Sequence, residues 1–295
     1  MVARFLGPPR VRPPGPGPGP VVPSAGGAVT AATGASGLLV VGGGRMGEAL
    51  VRGMLAAGRP PGEVVVLEID PARREALARS CPDVAVAARP TPAAAAVIAV
   101  KPADVEAACR TAVDAGAGRI LSIAAGVTTT SLQAFAGAGP AVLRAMPNTP
   151  ALVGAGVSAL CRAASAGPED EDWAEAVLAS VGRVVRLPEK LLDAATGLSG
   201  SGPAYIFLVA EALIEGGVAA GLPRPEATAM TVGTLLGAAR LLAETGETPE
   251  ALRAAVTSPG GTTAAGLRVL ESRAVRAAFI DAVAAATERS RQLGQ

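Results

Sequence analysis

A chain of 295 residues, half of them apolar and with a net charge of +1, has ample length for one large or two moderate domains around a sizeable core. Its arginines are scattered and form no basic stripe, and one Trp and one Tyr offer almost nothing for bases to stack on, which argues against a nucleic-acid partner. Histidine is absent, so a Ser-His-Asp triad, a histidine-based metal site and an imidazole proton carrier are excluded.

Cys81, Cys109 and Cys161 are odd in number, far apart and without C-x-x-C spacing. They read as buried reduced thiols rather than a disulfide framework or a zinc site, and no metal is expected. The positive mean hydropathy comes from alanine, and apolar stretches such as Ala93 to Val100 end well short of the ~20 residues that a membrane span requires. No membrane is expected, and localisation defaults to the cytoplasm.

In chain order, residues 1–36 come first, with Arg10 to Pro20 reading R-V-R-P-P-G-P-G-P-G-P. That composition cannot bury enough apolar area to offset the entropy of ordering, so a disordered leader is expected. A transit peptide, a flexible tail and a start site placed too early all fit it; a secretory signal does not, because prolines interrupt the apolar segment.

At Gly37 the texture changes to an apolar strand, Leu38 to Val41, then Gly42-Gly43-Gly44-Arg45-Met46-Gly47, then a helical run to Ala57. Strand, glycine turn and helix in that order are what pyrophosphate binding at a helix N-terminus requires. Gly42 allows the tight turn, Gly44 lets a phosphate approach the backbone, and Gly47 lets the helix pack on the strand. A second strand, Val64 to Leu67, ends at Glu68, where such a unit contacts the adenosine ribose. A carboxylate there favours NAD over NADP, yet Arg73 and Arg74 lie close enough to offer a counter-charge, so NAD(H) and NADP(H) both stay open. Asp70, just before Pro71 and a helical run, reads as an N-cap.

Further strands follow at Ala96 to Val100, leading into Lys101-Pro102, and at Arg119 to Ala124, leading into Ala125-Gly126. Continuous apolar strands separated by helices imply a parallel sheet covered on both faces, with ligands at the carboxyl ends of the strands. Val100, Lys101, Pro102, Ala124, Ala125 and Gly126 are therefore expected beside the dinucleotide. Another strand, Ala141 to Arg144, runs into Met146-Pro-Asn-Thr-Pro150, a rigid turn that is expected to present Asn148 toward the nicotinamide end.

After a helix over 170–181 and a strand over 184–187, the chain becomes almost entirely helical, and segments such as Ala204 to Ala220 and Pro225 to Glu244 are apolar on most of their circumference. About a hundred residues cannot hide that surface alone, which predicts a homodimer, with further assembly of dimers left open. Two glycine-and-hydroxyl segments interrupt this region, Leu198 to Tyr205 and Val256 to Thr263. Each offers uncovered backbone N–H groups to a small carboxylate. The first also reads as a helix start, with Ser201 as cap and Pro203 in the first turn.

From Gly37 onward the chain resembles the pyrroline-5-carboxylate reductases. The resemblance is carried by Val41 to Gly47, Val100-Lys-Pro102, Ser122 to Gly126, Arg144 to Pro150, Leu198 to Tyr205, and Val256 to Thr263 running on to Glu271. It implies an N-terminal α/β Rossmann-type dinucleotide-binding domain (37–188), an all-α C-terminal dimerisation and substrate domain (189–295), and reduction of 1-pyrroline-5-carboxylate to L-proline with NAD(P)H. Carried over by motif, Gly42 to Gly47 and the two strand ends hold the dinucleotide, while Ser258, Gly261, Thr262 and Thr263 hold the substrate, with Thr263 catalytic. Glu189 is implied near the substrate amine. Two positions depart from the family pattern: Ile69 follows Glu68 where many relatives place a 2′-phosphate ligand, and Gly43 replaces the usual alanine.

Hydride addition to a protonated imine needs no strong general acid, which suits a chain without histidine. A 3-hydroxy-acid dehydrogenase would need a lysine base in the helical region, where only Lys190 exists, close to its start. A non-catalytic nucleotide sensor would be expected to lose Thr262, Thr263 or the neighbouring glycines, all of which are present.

Overall fold

The computed structural model describes residues 37–294, so the expected leader over 1–36 lies outside the described residues. The chain opens with strand β1 (Leu38–Val41), helix α1 (Arg45–Ala56), β2 (Val64–Leu67), α2 (Pro71–Ser80), β3 (Ala85–Ala87), β4 (Ala95–Ile98) and α3 (Val105–Asp114). It continues with β5 (Arg119–Ser122), α4 (Thr129–Ala136), β6 (Ala141–Met146), β7 (Gly156–Arg162), α5 (Pro168–Ala179) and β8 (Gly182–Arg186). These strands form one sheet in the order β3-β2-β1-β4-β5-β6-β7-β8.

From β3 to β6 every neighbouring pair is parallel, as continuous apolar strands with helical crossovers require. Strand β7, which the sequence reading does not name, departs from the parallel pattern and runs antiparallel to β6. Only a short 3₁₀ segment, Thr149–Val153, joins those two strands, too little chain for a crossover helix, so the chain turns back instead. α5 then supplies the crossover that makes β8 parallel to β7.

Both faces of the sheet are covered. Leu38, Val40, Leu143 and Leu160 pack with Leu50, Val51 and Met54 of α1 and with Val177 and Leu178 of α5. Leu39, Ile98, Ile120 and Val142 pack with Val105 and Cys109 of α3 and Leu132 of α4 on the other face. Each fully buried leucine of this kind stabilises the fold by roughly 1.5–3 kcal/mol relative to exposure. As expected, Asp70 caps α2, its side chain accepting from the Ala72 amide at 2.9 Å. All three cysteines are buried free thiols.

Beyond β8 the chain is helical: α6 (Leu192–Ala195), α7 (Gly202–Ala219), α8 (Arg224–Glu244), α9 (Pro249–Ala255), α10 (Thr262–Ser272) and α11 (Val275–Leu293). Between α6 and α7 lies a π-helical turn, Thr196–Gly200, so the path from Glu189 to Ala219 is one continuous helical run. By length and composition it is long and apolar enough to cross a membrane. The sequence expectation of short apolar stretches missed it, because Gly and Ser break up the apolar count without breaking the helix. α7 and α8 form a hairpin whose outer faces leave Phe207, Leu208, Met230 and Leu236 exposed.

Candidate active site

The parallel register aligns Val41 with Leu67 and Ile98, and Ile98 with Ser122, so the segments that follow β1, β2, β4 and β5 emerge along one edge. Gly42–Gly47, Glu68, Val100–Pro102 and Ala124–Gly126 are thereby brought together, and all were singled out from sequence.

Three glycines of the turn have structural reasons. Gly42 has φ +101, and a Cβ there would stand 2.7 Å from the Ala99 carbonyl oxygen. A Cβ on Gly47 would overlap the Gly42 carbonyl, and one on Gly43 would overlap Leu77 and lie 3.2 Å from the Glu68 carboxylate. Gly44 is different: it is exposed, has ordinary φ, and a Cβ there would meet nothing within 4 Å. It is the N-cap of α1 and makes no side-chain capping bond, so the first amides of α1 face open space. A cradle that only a missing Cβ keeps clear, at an uncapped helix N-terminus, fits a pyrophosphate.

Around this turn Glu68, Arg73 and Arg74 are engaged by neighbours. The Gly43 amide donates to Glu68 Oε2 at 2.8 Å, and the Asp70 amide to Glu68 Oε1 at 2.9 Å. Arg73 donates through Nε to the Gly43 carbonyl at 2.5 Å and pairs through Nη2 with Glu48 at 2.5 Å. Arg74 Nη1 donates to the Glu68 and Ile69 carbonyls. Arg45, Lys101 and Pro102 are exposed at the same edge, and Met46, Val100 and Ala125 are half-buried. Gly126, at φ +78, lies against the backbone of Leu293 and Gly294 at the end of α11.

Asn148 departs from its expected place facing a nicotinamide. Its side chain is buried, Oδ1 accepting from the Val157 amide at 2.8 Å and Nδ2 donating to the Ser199 carbonyl at 3.0 Å. Pro203 lies four residues after Ser199 and has no N–H, so the helix cannot satisfy that carbonyl itself. The amide is committed to joining the sheet to the π-helical turn.

The first glycine-and-hydroxyl segment is likewise corrected: it is helical rather than a ligand loop. Ser201 occupies the N-cap position of α7 but is already in αR conformation and makes no capping bond, since helix precedes it. Gly197, beside this segment, lets α11 approach: a Cβ there would be 2.8 Å from the Val283 carbonyl. The Tyr205 hydroxyl donates to the Gly197 carbonyl at 3.2 Å.

Glu189 is held by two neighbours. Its Oε1 accepts from the Thr129 amide at 2.6 Å and from Arg144 Nη1 at 3.0 Å, and its Oε2 accepts from the Thr129 hydroxyl. Both oxygens thus serve a buried arginine and the start of α4. Burial pushes this carboxyl up, but the Thr129 and Arg144 bonds more than reverse that and hold it below its ordinary 4.5. A carboxyl lowered by folding stabilises the protein above its unfolded pKa, and that contribution is lost as pH falls through the folded value. Glu189→Gln is therefore expected to lose about 2 kcal/mol at pH 7 and less at an acid pH well below 4.5. Urea unfolding at the two pH values checks this; an equal loss at both would remove the ion pair as the cause. Neither Arg144 nor Thr129 stood out from sequence, although an arginine inside the apolar strand Ala141 to Met146 is a usable sign of a buried partner.

The second glycine-and-hydroxyl segment is a loop, between α9 and α10. The Gly261 amide donates to the Ser258 carbonyl at 3.0 Å, and the Ser258 hydroxyl folds over Gly261 so closely that any side chain there would collide with it. Gly261 is the N-cap of α10 without a side-chain capping bond, and Ala265 is the first residue to donate back, to the Gly261 carbonyl at 3.2 Å. The amides of Thr262, Thr263 and Ala264 are left free with two hydroxyls beside them, a geometry suited to a small carboxylate. α10 packs mainly on α11, apart from the glycine turn of the sheet.

A mostly parallel sheet with a pyrophosphate turn at its carboxyl edge, joined to a helical domain carrying a second anion cradle, defines a two-domain dinucleotide-dependent oxidoreductase. Residues 38–126 match the family "NADP oxidoreductase coenzyme F420-dependent", and residues 189–293 match "Pyrroline-5-carboxylate reductase dimerisation". The chain is 44% identical over 266 residues to the pyrroline-5-carboxylate reductase of Synechocystis sp., covering 87% of this chain and 97% of that one. It is 41% identical to that of Mycobacterium tuberculosis, covering 87% and 96%. Among solved structures, a pyrroline-5-carboxylate reductase from Coxiella burnetii superposes with a TM-score of 0.82 at 35% identity, over 88% of this chain and 99% of that one. The Plasmodium falciparum enzyme with NADP bound superposes at 0.77 with 27% identity, over 88% and 98%. The chain belongs to the pyrroline-5-carboxylate reductase family. Its exposed α7–α8 hairpin falls within the family's dimerisation region, which accounts for the long apolar helical run without a membrane.

Proposed function

We propose that this protein reduces 1-pyrroline-5-carboxylate to L-proline with NAD(P)H, the last step of proline synthesis. The observation that carries the reading is the α9–α10 loop, whose free amides and hydroxyls suit a carboxylate and whose residues 256–263 include no acid or base to do other chemistry. Bound NAD(P)H supplies the hydride. Gly42, Gly44 and Gly47 seat the pyrophosphate, with Gly43, Arg45, Met46, Glu68, Val100, Lys101, Pro102, Ala124, Ala125 and Gly126 around the rest of the dinucleotide. Ser258, Gly261 and Thr262 hold the substrate carboxylate, and the Thr263 hydroxyl bonds the ring nitrogen as it becomes an amine. Acceleration comes from holding the imine carbon against the hydride donor.

Residues 37–188 serve as the dinucleotide domain and 189–295 as the dimerisation and substrate domain. The cradle of one subunit works with the dinucleotide of its partner in a homodimer, a reading supported by the separation of α10 from the glycine turn and by the exposed face of α7 and α8. In the same reading further assembly of dimers stays open, and the enzyme works in the cytoplasm, where three free thiols are at home.

NAD(P)H oxidation assayed with 1-pyrroline-5-carboxylate, beside a 3-hydroxy acid as control, tests the activity. Thr263→Ala is expected to lower turnover on the order of 10²-fold with little change in dinucleotide affinity. Kinetics like those of the unaltered enzyme would take Thr263 out of the mechanism.

A further inference from the structure

The adenosine end of the dinucleotide site carries more than a strand-end carboxylate. Glu68 is held at both oxygens by backbone amides, Oε2 by Gly43 and Oε1 by Asp70. It can hold the Gly43 amide because residue 43 is glycine: a Cβ there would crowd Oε2 at 3.2 Å and overlap Leu77. Gly43 and Glu68 are thus one device, the missing methyl making room for the carboxylate against the phosphate turn. Each Glu68 oxygen keeps a further lone pair, which suits a ribose diol that donates two hydrogen bonds.

The two arginines able to answer a 2′-phosphate are otherwise engaged. Arg73 is held on the Gly43 carbonyl and on Glu48, where its loss would leave Glu48 without this ion pair. Arg74 is folded onto the carbonyls of Glu68 and Ile69. Asp70 adds a second carboxylate two residues beyond the first, and Ile69 between them offers no polar group. A phosphate dianion on the ribose would meet two carboxylates at the end of β2, with Arg73 paired to Glu48 and Arg74 drawn onto backbone carbonyls, and such like-charge contact is strongly unfavourable.

We infer that Glu68, seated by Gly43, makes this chain select the dinucleotide with a free 2′-hydroxyl, NADH, over the phosphorylated form. The inference rests on the dinucleotide reading of this same site. Equilibrium titration of the full-length protein with NADH and with NADPH, followed by nicotinamide fluorescence, tests it without turnover. NADH is expected to bind tighter on the order of tenfold or more. In Glu68→Gln, which keeps the shape and removes the charge, the ratio of affinities shifts toward NADPH on the order of tenfold. Glu68→Ser, which also releases the ribose contact, shifts it further, and Gly43→Ala shifts it in the same direction by displacing the carboxylate. Equal or tighter binding of NADPH by the unaltered protein overturns the inference, and so does a ratio unmoved by Glu68→Gln and Glu68→Ser. Failure of both dinucleotides to bind would instead overturn the dinucleotide reading and the inference with it.

Discussion

Gly42→Ala is expected to reduce dinucleotide affinity on the order of 100-fold and to cost roughly 2–4 kcal/mol of stability. The backbone at Gly42 has φ +101, a region closed to side chains, and the new methyl would lie 2.7 Å from the Ala99 carbonyl oxygen and 2.9 Å from Val100 Cγ1. Neither neighbour can give way cheaply. Ala99 is tied to β1 through its amide, which donates to the Val41 carbonyl at 2.8 Å, and the Gly42 amide is tied to the Leu67 carbonyl at 2.9 Å. On the other side the Gly42 carbonyl abuts the glycine face of α1 at Gly47. Relief must therefore come from moving α1 off the strands, which carries the pyrophosphate amides away with it. Gly44→Ala separates the two effects, because its methyl enters open space. That variant should melt like the unaltered protein while binding dinucleotide poorly. Thermal melts with and without saturating NADH check both: a stable Gly42→Ala, or a Gly44→Ala that binds normally, would contradict the assignment.

The contrast between these two glycines explains what was legible in the sequence. The glycine turn could be read because all its constraints are local: a strand before, a helix after, and a fixed spacing to Glu68. The parallel order of β1 to β6 followed from the same alternation. What escaped depended on partners far along the chain. The reversal at β7 hinges on how little chain joins Met146 to Gly156, a matter of distance rather than of residue type. Ser199 to Pro203 looked like a loop and a helix start, because glycine, serine and proline have the same local preferences whether a helix begins or merely bulges. Glu189 was assigned by likeness to a substrate role, yet the residues that bond it, Thr129 and Arg144, are 60 and 45 positions away, and although an arginine in an apolar strand signals a buried partner, nothing local says which one.

Asn148→Ala is the second substitution with a large expected effect, about 2 kcal/mol of stability, because it strands two partly buried backbone groups at once. The Val157 amide loses its acceptor at the start of β7, and the Ser199 carbonyl loses the side-chain donor that stands in for the amide Pro203 lacks. Asn148→Asp divides the damage: Oδ1 still accepts from Val157, but the group facing the Ser199 carbonyl becomes a second acceptor, so the repulsion falls on the helical side alone. The consequence reaches the site through geometry. The π-helical turn leads directly into α7, and Gly197 within it seats α11, whose far end lies against Gly126 at the carboxyl edge of the sheet. Loosening the clasp is expected to raise hydrogen exchange in Thr196–Gly200 and in the last turn of α11 while leaving β1, β4 and β5 protected, since those strands draw their stability from the sheet core. Exchange measured by mass spectrometry on the Asp variant reads this directly. Uniform protection across both regions would mean that Asn148 fills space in the core and joins nothing.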